Sequence, residues 1–454
     1  MEIFIVLVFV LGYLAITLEH SLKVDKLIPA LLMMSLAWAG VAFGLDGFTT
    51  WFDSHANKML EGIGVMNHEE KLHLLENTLL HHFGKTCEIL IFLIGAMTIV
   101  EIIDHFQGFS TIKSFVKTNK KRTLLWIVCI LGFILSAIID NLTATIVLIT
   151  ILRKLIPDNK DRIWYASLII IAANAGGAWS PIGDVTTTML WMGNKVTAAK
   201  LMEYLVIPSL LCVVVPTLLA SFLPAFKGTF DAEDDKTKTN KNGPFMLYLG
   251  LSLIVFVPVF KTITHLPPYV GMMLSLSIFA MVAEILSNRK FSITAINDAN
   301  GKEAAAHHQS PTFKALGKIE MPSILFFLGI LMTVAALESL GLIFTFGQNV
   351  QSSMDPNLFV LLIGVGSAVI DNVPLVAASM GMFDMSLYPM DNHIWHFIAY
   401  AAGTGGSMLI IGSAAGVVAM GMEKISFFWY LKNIAWLAVL GYVVGFAFMV
   451  LFHS

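Results

Sequence analysis

Apolar residues come along the chain in runs of roughly 16 to 25, about the length a helix needs to cross a bilayer, separated by short polar joins. The stretches Ile3 to Leu18, Leu27 to Leu45 and Ile425 to Phe452 are typical. Alternation with a period of two is absent, and the runs far exceed the ten or so residues of a barrel strand, so a membrane barrel is excluded. The pattern predicts an all-α polytopic membrane protein with spans at 3–18, 27–45, 86–105, 124–155, 163–192, 203–223, 244–262, 268–286, 321–343, 357–388, 394–421 and 427–452. Segments 124–155 and 357–388 are too long for one crossing and hold polar residues at their centres. Each is expected to be a re-entrant helical hairpin, because irregular backbone is tolerated at membrane depth where it lines a cavity. Two full crossings per segment would leave arms of about 15 residues, short for a span.

Composition agrees, with 57% hydrophobic and 13% charged residues against about 25% charged in soluble domains. A net charge of −3 is too small to point to nucleic acid or another highly charged partner. The placement of charge says more. Lys121 and Arg122 precede the first hairpin and Arg153 and Lys154 follow it, so its ends read as cytoplasmic under the positive-inside rule. No Lys or Arg occurs between Lys318 and Lys424, so the ends of the second read as external. With two hairpins and ten crossings, all of the 28 Lys and Arg fall on the cytoplasmic side except Lys58, Lys71, Lys85, Lys195, Lys200 and Lys261. Met1 to Leu18 lacks a basic leader and a cleavage site, so it reads as a retained first span.

The chain also repeats itself. Phe92-Leu-Ile-Gly95, Ser136-Ala-Ile-Ile-Asp140-Asn141 and Asn174-Ala-Gly-Gly177 recur as Phe326-Phe-Leu-Gly329, Ser367-Ala-Val-Ile-Asp371-Asn372 and Gly403-Thr-Gly-Gly406. By the charge pattern the first copy begins outside and the second inside, an inverted-topology repeat of the kind whose site lies at the membrane midplane. The organisation expected is N-terminal spans and an external amphipathic segment at 1–85; a first repeat at 86–226 (hairpin 124–155, broken helix 163–192); a linker, two spans and a cytoplasmic loop at 227–318; and a second repeat at 319–454 (hairpin 357–388, broken helix 394–421).

Candidate chemistry sits at the hairpin centres and in the segments after them. Asp140-Asn141-Leu-Thr143 and Asp371-Asn372-Val-Pro374 place carboxylates where they are expensive, which marks them as functional by default. The same residues are good helix N-caps, and the two roles are compatible. Asn174 to Asp184, with Thr186 and Thr187, combines glycines and Pro181 with oxygen-bearing side chains; Thr404, Ser407 and Ser413 stand at the matching segment. The segments are expected to unwind there, exposing carbonyl, hydroxyl, amide and carboxylate oxygens of the kind a hard cation such as sodium takes. Close helix packing is the other reading of the glycines. No Lys or Arg lies in either hairpin core or either break, which favours cations or protons over an anionic substrate. Glu88, Asp104, Glu320 and Glu338 are further acids near span ends.

These paired motifs resemble those of the NhaD-type sodium:proton antiporters of the ion transporter superfamily, over nearly the whole chain. The resemblance implies exchange of sodium or lithium for protons across a bacterial inner membrane, without a cofactor. It further implies a homodimer whose transport domains move by an elevator-like mechanism. It assigns transport roles to Asp140, Asn141, Asn174, Asp184, Thr186, Thr187, Ser367 and Asn372, and to an acid matched by Glu88, a candidate proton relay. Sodium is expected at Asp140, Asn141, Asn174 and Asp184; Thr143, Asp371, Thr404 and Ser407 complete the candidate set. Dicarboxylate-carrying relatives have Ser where Asp140 and Asp371 stand, which favours cation exchange here.

Other readings are a sodium-coupled carboxylate or arsenite transporter of the same superfamily, and an intramembrane aspartyl protease, against which Pro181 displaces the first glycine of its motif. His55, His68, His73, His81 and His82 crowd the external segment; Leu72, Leu75 and Leu79 recur there at helical spacing, so an interfacial amphipathic helix is expected. His68 and His73 are five apart and do not share a helix face as a zinc motif requires. Cys87, Cys129 and Cys212 read as small hydrophobes.

Overall fold

The computed structural model describes residues 1–17, 22–53, 58–60, 62–113, 118–156, 158–230, 240–287, 310–369 and 371–453. His55, most of the expected linker and most of the second cytoplasmic loop lie outside the described residues. The first half forms α1 (Glu2–Thr17), α2 (Leu27–Gly44), α3 (His68–His105), α4 (Lys121–Ile139), α5 (Asn141–Leu155), α6 (Asn159–Ala178), α7 (Val185–Met192) and α8 (Ala198–Ala220). The second forms α9 (Gly243–Thr264), α10 (Pro268–Leu286), α11 (Met321–Ser339), α12 (Leu342–Ser353), α13 (Pro356–Ser367), α14 (Asn372–Met382), α15 (His393–Gly405), α16 (Ala414–Glu423) and α17 (Ala435–His453). Among the described residues eight helices are long and apolar enough to cross a membrane. The protein is an all-α polytopic membrane protein, and among the described residues the one sheet is a two-stranded pairing of Trp51–Asp53 with Lys58–Leu60.

Helix contacts repeat between the halves in reciprocal fashion. α2 packs on α11 while α10 packs on α3, and α16 packs on α5 while α14 packs on α7. The pairs α3 with α11, α6 with α15 and α8 with α17 each join an element to its own counterpart. Contacts of that form are what a two-fold relation produces. Glycines allow the crossings: Gly329 sits against the backbone of Ala30, where a Cβ would come 2.7 Å from the carbonyl carbon, and Gly95 sits against the side chains of Met272 and Met273. The correspondence therefore extends to α1–α2 and α9–α10, which the sequence motifs did not register.

Three expectations change. Asn174 to Gly177 does not unwind; it stays in α6, and the break runs from Trp179 to Asp184. Gly403 to Gly405 likewise stay in α15. Their glycines serve close packing: a Cβ on Gly177 would stand 2.7 Å from the Gly183 carbonyl oxygen, and one on Gly406 at the same distance from that of Gly412. The external histidine segment is not a separate interfacial helix, because α3 runs unbroken for 38 residues from a capping box between Asn67 and Glu70. Gly84 alone cannot stop it. The hairpin arms are unequal as well. α5, α13 and α14 have 15, 12 and 11 residues, but α4 has 19.

The ends of the half-helices are held differently. Glu423, 1% exposed at the end of α16, accepts from Arg153 Nε (2.7 Å), Arg162 Nε (2.9 Å) and Asn159 Nδ2 (2.8 Å), joining α5, α6 and α16. At the corresponding end of α7, Asp391 accepts from the Thr197 amide and hydroxyl at 2.7 and 2.9 Å, and the Lys195 ammonium lies over the Trp395 ring at 4.6 Å.

Candidate functional site

Both hairpins turn on an aspartate that starts a helix. Asp140 sits between α4 and α5 at φ +83°, ψ 158°, a region essentially reserved for glycine. Its carboxylate accepts from the Thr143 amide at 2.7 Å and the Thr143 hydroxyl at 2.9 Å. Asp371 opens α14 at φ −50° and accepts from the Val373 amide at 3.2 Å. Although no Lys or Arg lies in either hairpin core, a base reaches the second tip from elsewhere in the chain: the Lys26 ammonium donates to Asp371 at 3.0 Å. Lys26 lies just before α2, 345 residues away, where a lysine reads from sequence as a membrane-edge anchor.

The breaks bring the two repeats together between these tips. Asp184, 4% exposed, occupies the N-cap position of α7 and accepts from Asn372 Nδ2 at 2.9 Å. On the other side Asn141 Nδ2 donates to Asn174 Oδ1 at 3.1 Å, and Asn174 Nδ2 donates to Ser413 Oγ at 2.9 Å. Ser413 in turn caps α16 through the Gly416 amide. Each tip amide thus reaches the N-cap residue of the other repeat's half-helix, one directly and one through Asn174. Gly403 holds the position equivalent to Asn174, and a Cβ there would come within 2.8 Å of the Ala178 Cβ.

A cavity of about 100 Å³ opens against these tips, with Asp140, Asn141, Thr143, Asp184, Asp371 and Asn372 on its wall. It has room for an alkali cation with a few waters. Glu320, one of the acids expected near span ends, also lines it, as do Lys26, Thr188 and Ser323, which the sequence did not single out. Asn174 lies one layer behind, fully buried. The remaining candidates do not line the cavity. Ser367, Thr187, Thr404 and Ser407 donate to the backbone carbonyls of Ala402, Asp184, Tyr400 and Thr404, so their hydroxyls brace the break segments. Thr186 is fully buried on the first turn of α7.

Glu88 faces a second cavity of about 250 Å³, on the side the charge pattern predicts to be external, together with His81, His82, Lys195 and Glu338. It lies 3.8 Å from Lys85. Ile89 and Leu331 line this cavity one helical turn from Phe92 and Phe327 on the wall of the first, and Met189 lines it next in sequence to Thr188 on that wall.

Comparison with known proteins adds three findings. Residues 13–396 match the citrate transporter family, CitMHS. The chain is 39% identical over its full length to "Sodium/proton antiporter 1" of Arabidopsis thaliana, covering 73% of that protein. Over 97% of its length it is 30% identical to "Na(+)/H(+) antiporter NhaD" of Vibrio cholerae, covering 89% of it. In fold it is similar to the crystal structure of the Alcanivorax borkumensis YdaH transporter, described as having an unusual topology, with a TM-score of 0.57 and 13% identity over 93% of this chain and 98% of that one.

Proposed function

The chain belongs to the citrate transporter family and, within it, to the NhaD-type sodium:proton antiporters, and from that premise we propose that it exchanges Na+ or Li+ for H+ across its membrane. It is a carrier and not an enzyme. One observation carries the reading: among the described residues Asp140, Asp184, Asp371 and Glu320 line the central cavity against a single ammonium, that of Lys26. An excess of acid charge at depth attracts a cation or a proton and repels a carboxylate. Citrate, which the family's description would suggest as cargo, meets no unpaired base there.

In the proposed mechanism Asp140 and Asp184 hold the cation with the amide oxygen of Asn141 and the hydroxyl oxygen of Thr143, while Asn174, one layer behind, orients the Asn141 amide. Metal binding requires the deprotonated carboxylate, so cation and proton exclude one another at the same oxygens. Exchange follows if only the loaded site crosses between faces. The hairpins and broken helices would move against a frame of α1 to α3 and α9 to α11, an elevator-type motion of an inverted repeat. Ile89 and Leu331 border the external cavity, whereas their repeat equivalents, Ser323 and Met97, line the central one. That asymmetry supports an inward-facing state. Lithium as an alternative cargo, a role in pH homeostasis, a homodimer and a bacterial inner membrane complete the proposal on the strength of the family resemblance.

The test is exchange in proteoliposomes. Added sodium or lithium is expected to collapse an imposed pH gradient, and citrate is not. No response to either cation from neutral to alkaline pH would sink the reading, and sodium-dependent citrate uptake would replace it.

A further inference from the structure

The two hairpin tips are equivalent by the internal two-fold, yet among the described residues only the second meets a cationic side chain. Asp371 receives the Lys26 ammonium at 3.0 Å, and the same ammonium lies 4.4 Å from the centroid of the Phe326 ring, whose face attracts a positive charge. Both side chains are largely withdrawn from solvent, 29% exposed for Lys26 and 17% for Asp371, so the pair is not an ordinary surface contact. No Lys or Arg occurs between Lys261 and Arg289, so the chain entering α10 at Pro268 offers no basic counterpart to the Lys26 that precedes α2. At the first tip α9 and α10 offer Ile254 and Met272 to the cavity instead of a charge.

We propose that Lys26 is a resident counter-cation that takes, at the second tip, the place a transported ion takes at the first, so that exchange runs on a single cation site and Lys26 fixes its stoichiometry. This rests on the exchange reading above and deepens it. A cation held in place by the fold competes at an effective concentration that a diffusing ion does not reach. With Asp371 neutralised from within, sodium is directed to Asp140 and Asp184, which have no such partner in the cavity. A merely structural role for the pair would tie α2 to the second hairpin and leave ion capacity untouched.

The discriminating measurement is saturation binding of radioactive sodium to the purified full-length protein. The wild type is expected to hold a single ion per chain. Lys26→Met, which keeps the stem against Phe326 and removes the charge, is expected to gain a second, and Lys26→Arg, which keeps the charge, to stay at one. Two ions in the wild type overturn the proposal directly, whether or not any variant folds. An unchanged capacity in a monodisperse Lys26→Met protein overturns it too, while leaving the exchange reading intact. Absence of binding in wild type and variants alike defeats the exchange reading, and the proposal falls with it.

Discussion

At the first hairpin tip Asp140 stands at φ +83° with Thr143 as its partner, and at the second Asp371 stands at φ −50° beside the Lys26 ammonium. The same Asp-Asn pair, at the same point of the same repeated unit, is held once by a strained backbone with a hydroxyl and once by a relaxed backbone with a full charge. The amides diverge in step: Asn372 reaches Asp184 directly, and Asn141 reaches Ser413 through Asn174. Two-fold folds built from one chain are free to specialise in this way, because nothing obliges both copies to keep the same side chains. The strained copy is the one we assign to the ion, in keeping with the tendency of strain to collect at functional sites.

The largest effect expected is at Asp140 itself. Asp140→Asn should reduce sodium-driven proton release in proteoliposomes to the level of empty vesicles, and a variant as active as the wild type would remove Asp140 from the mechanism. Next comes the clamp at the far end of α16. Glu423→Ala leaves Arg153 and Arg162 facing each other without their acid and is expected to cost about 3 kcal/mol, the usual scale for breaking a buried pair. A melting curve unmoved by that change would show the clamp to be incidental.

Backbone strain is tested by glycine at both tips. Glycine relieves about 1–3 kcal/mol at a position held in the glycine-only region, and elsewhere costs roughly 0.5–1 kcal/mol in chain entropy. Asp140→Gly should therefore melt above Asp140→Asn, whereas Asp371→Gly should melt below Asp371→Asn. The same order at both positions would erase the distinction between the tips.

The last contrast concerns the C-terminal end of α7, in the loop that follows it, and is read from a pH dependence. Burial pushes the Lys195 ammonium down to about 8, against the opposing pull of Glu338 and Asp384. An unfolded lysine titrates near 10.4, so between the two values the unfolded chain binds the proton that the folded chain has released. Stability therefore rises with pH across that window, and the penalty is fully present below it. Lys195→Met should raise the melting temperature at neutral pH and flatten its rise in alkali; a parallel shift at every pH would contradict this.

Much of this was legible in the sequence because polar residues stand out in apolar runs. Asp140 and Asp371 marked the hairpin tips, and Pro181 and Asp184 marked the first break. Lys26 was not legible, since its meaning depends on a partner 345 residues away and its own neighbourhood reads as an ordinary span end. Gly176 and Gly177 misled in a different way. Glycine weakens a helix by about 1 kcal/mol, but tight packing against Phe133 and Gly183 keeps α6 intact through both. The continuity of α3 was hidden because its polar first half and apolar second half look like two objects. At 1.5 Å per residue it is about 57 Å long, well beyond the roughly 30 Å of hydrocarbon it crosses.

The hydrogen bond from Asn372 to Asp184 joins residues 188 positions apart. At ribosomal speeds of about 5–20 residues per second, the carboxylate of Asp184 is made roughly 10 to 40 seconds before its amide partner exists. For that interval the first half of the molecule must keep the Asp184 acid without the contact that completes it. The order of synthesis, and not only the finished packing, therefore bears on this protein: its birth in the membrane includes a period in which half of the site waits for the other.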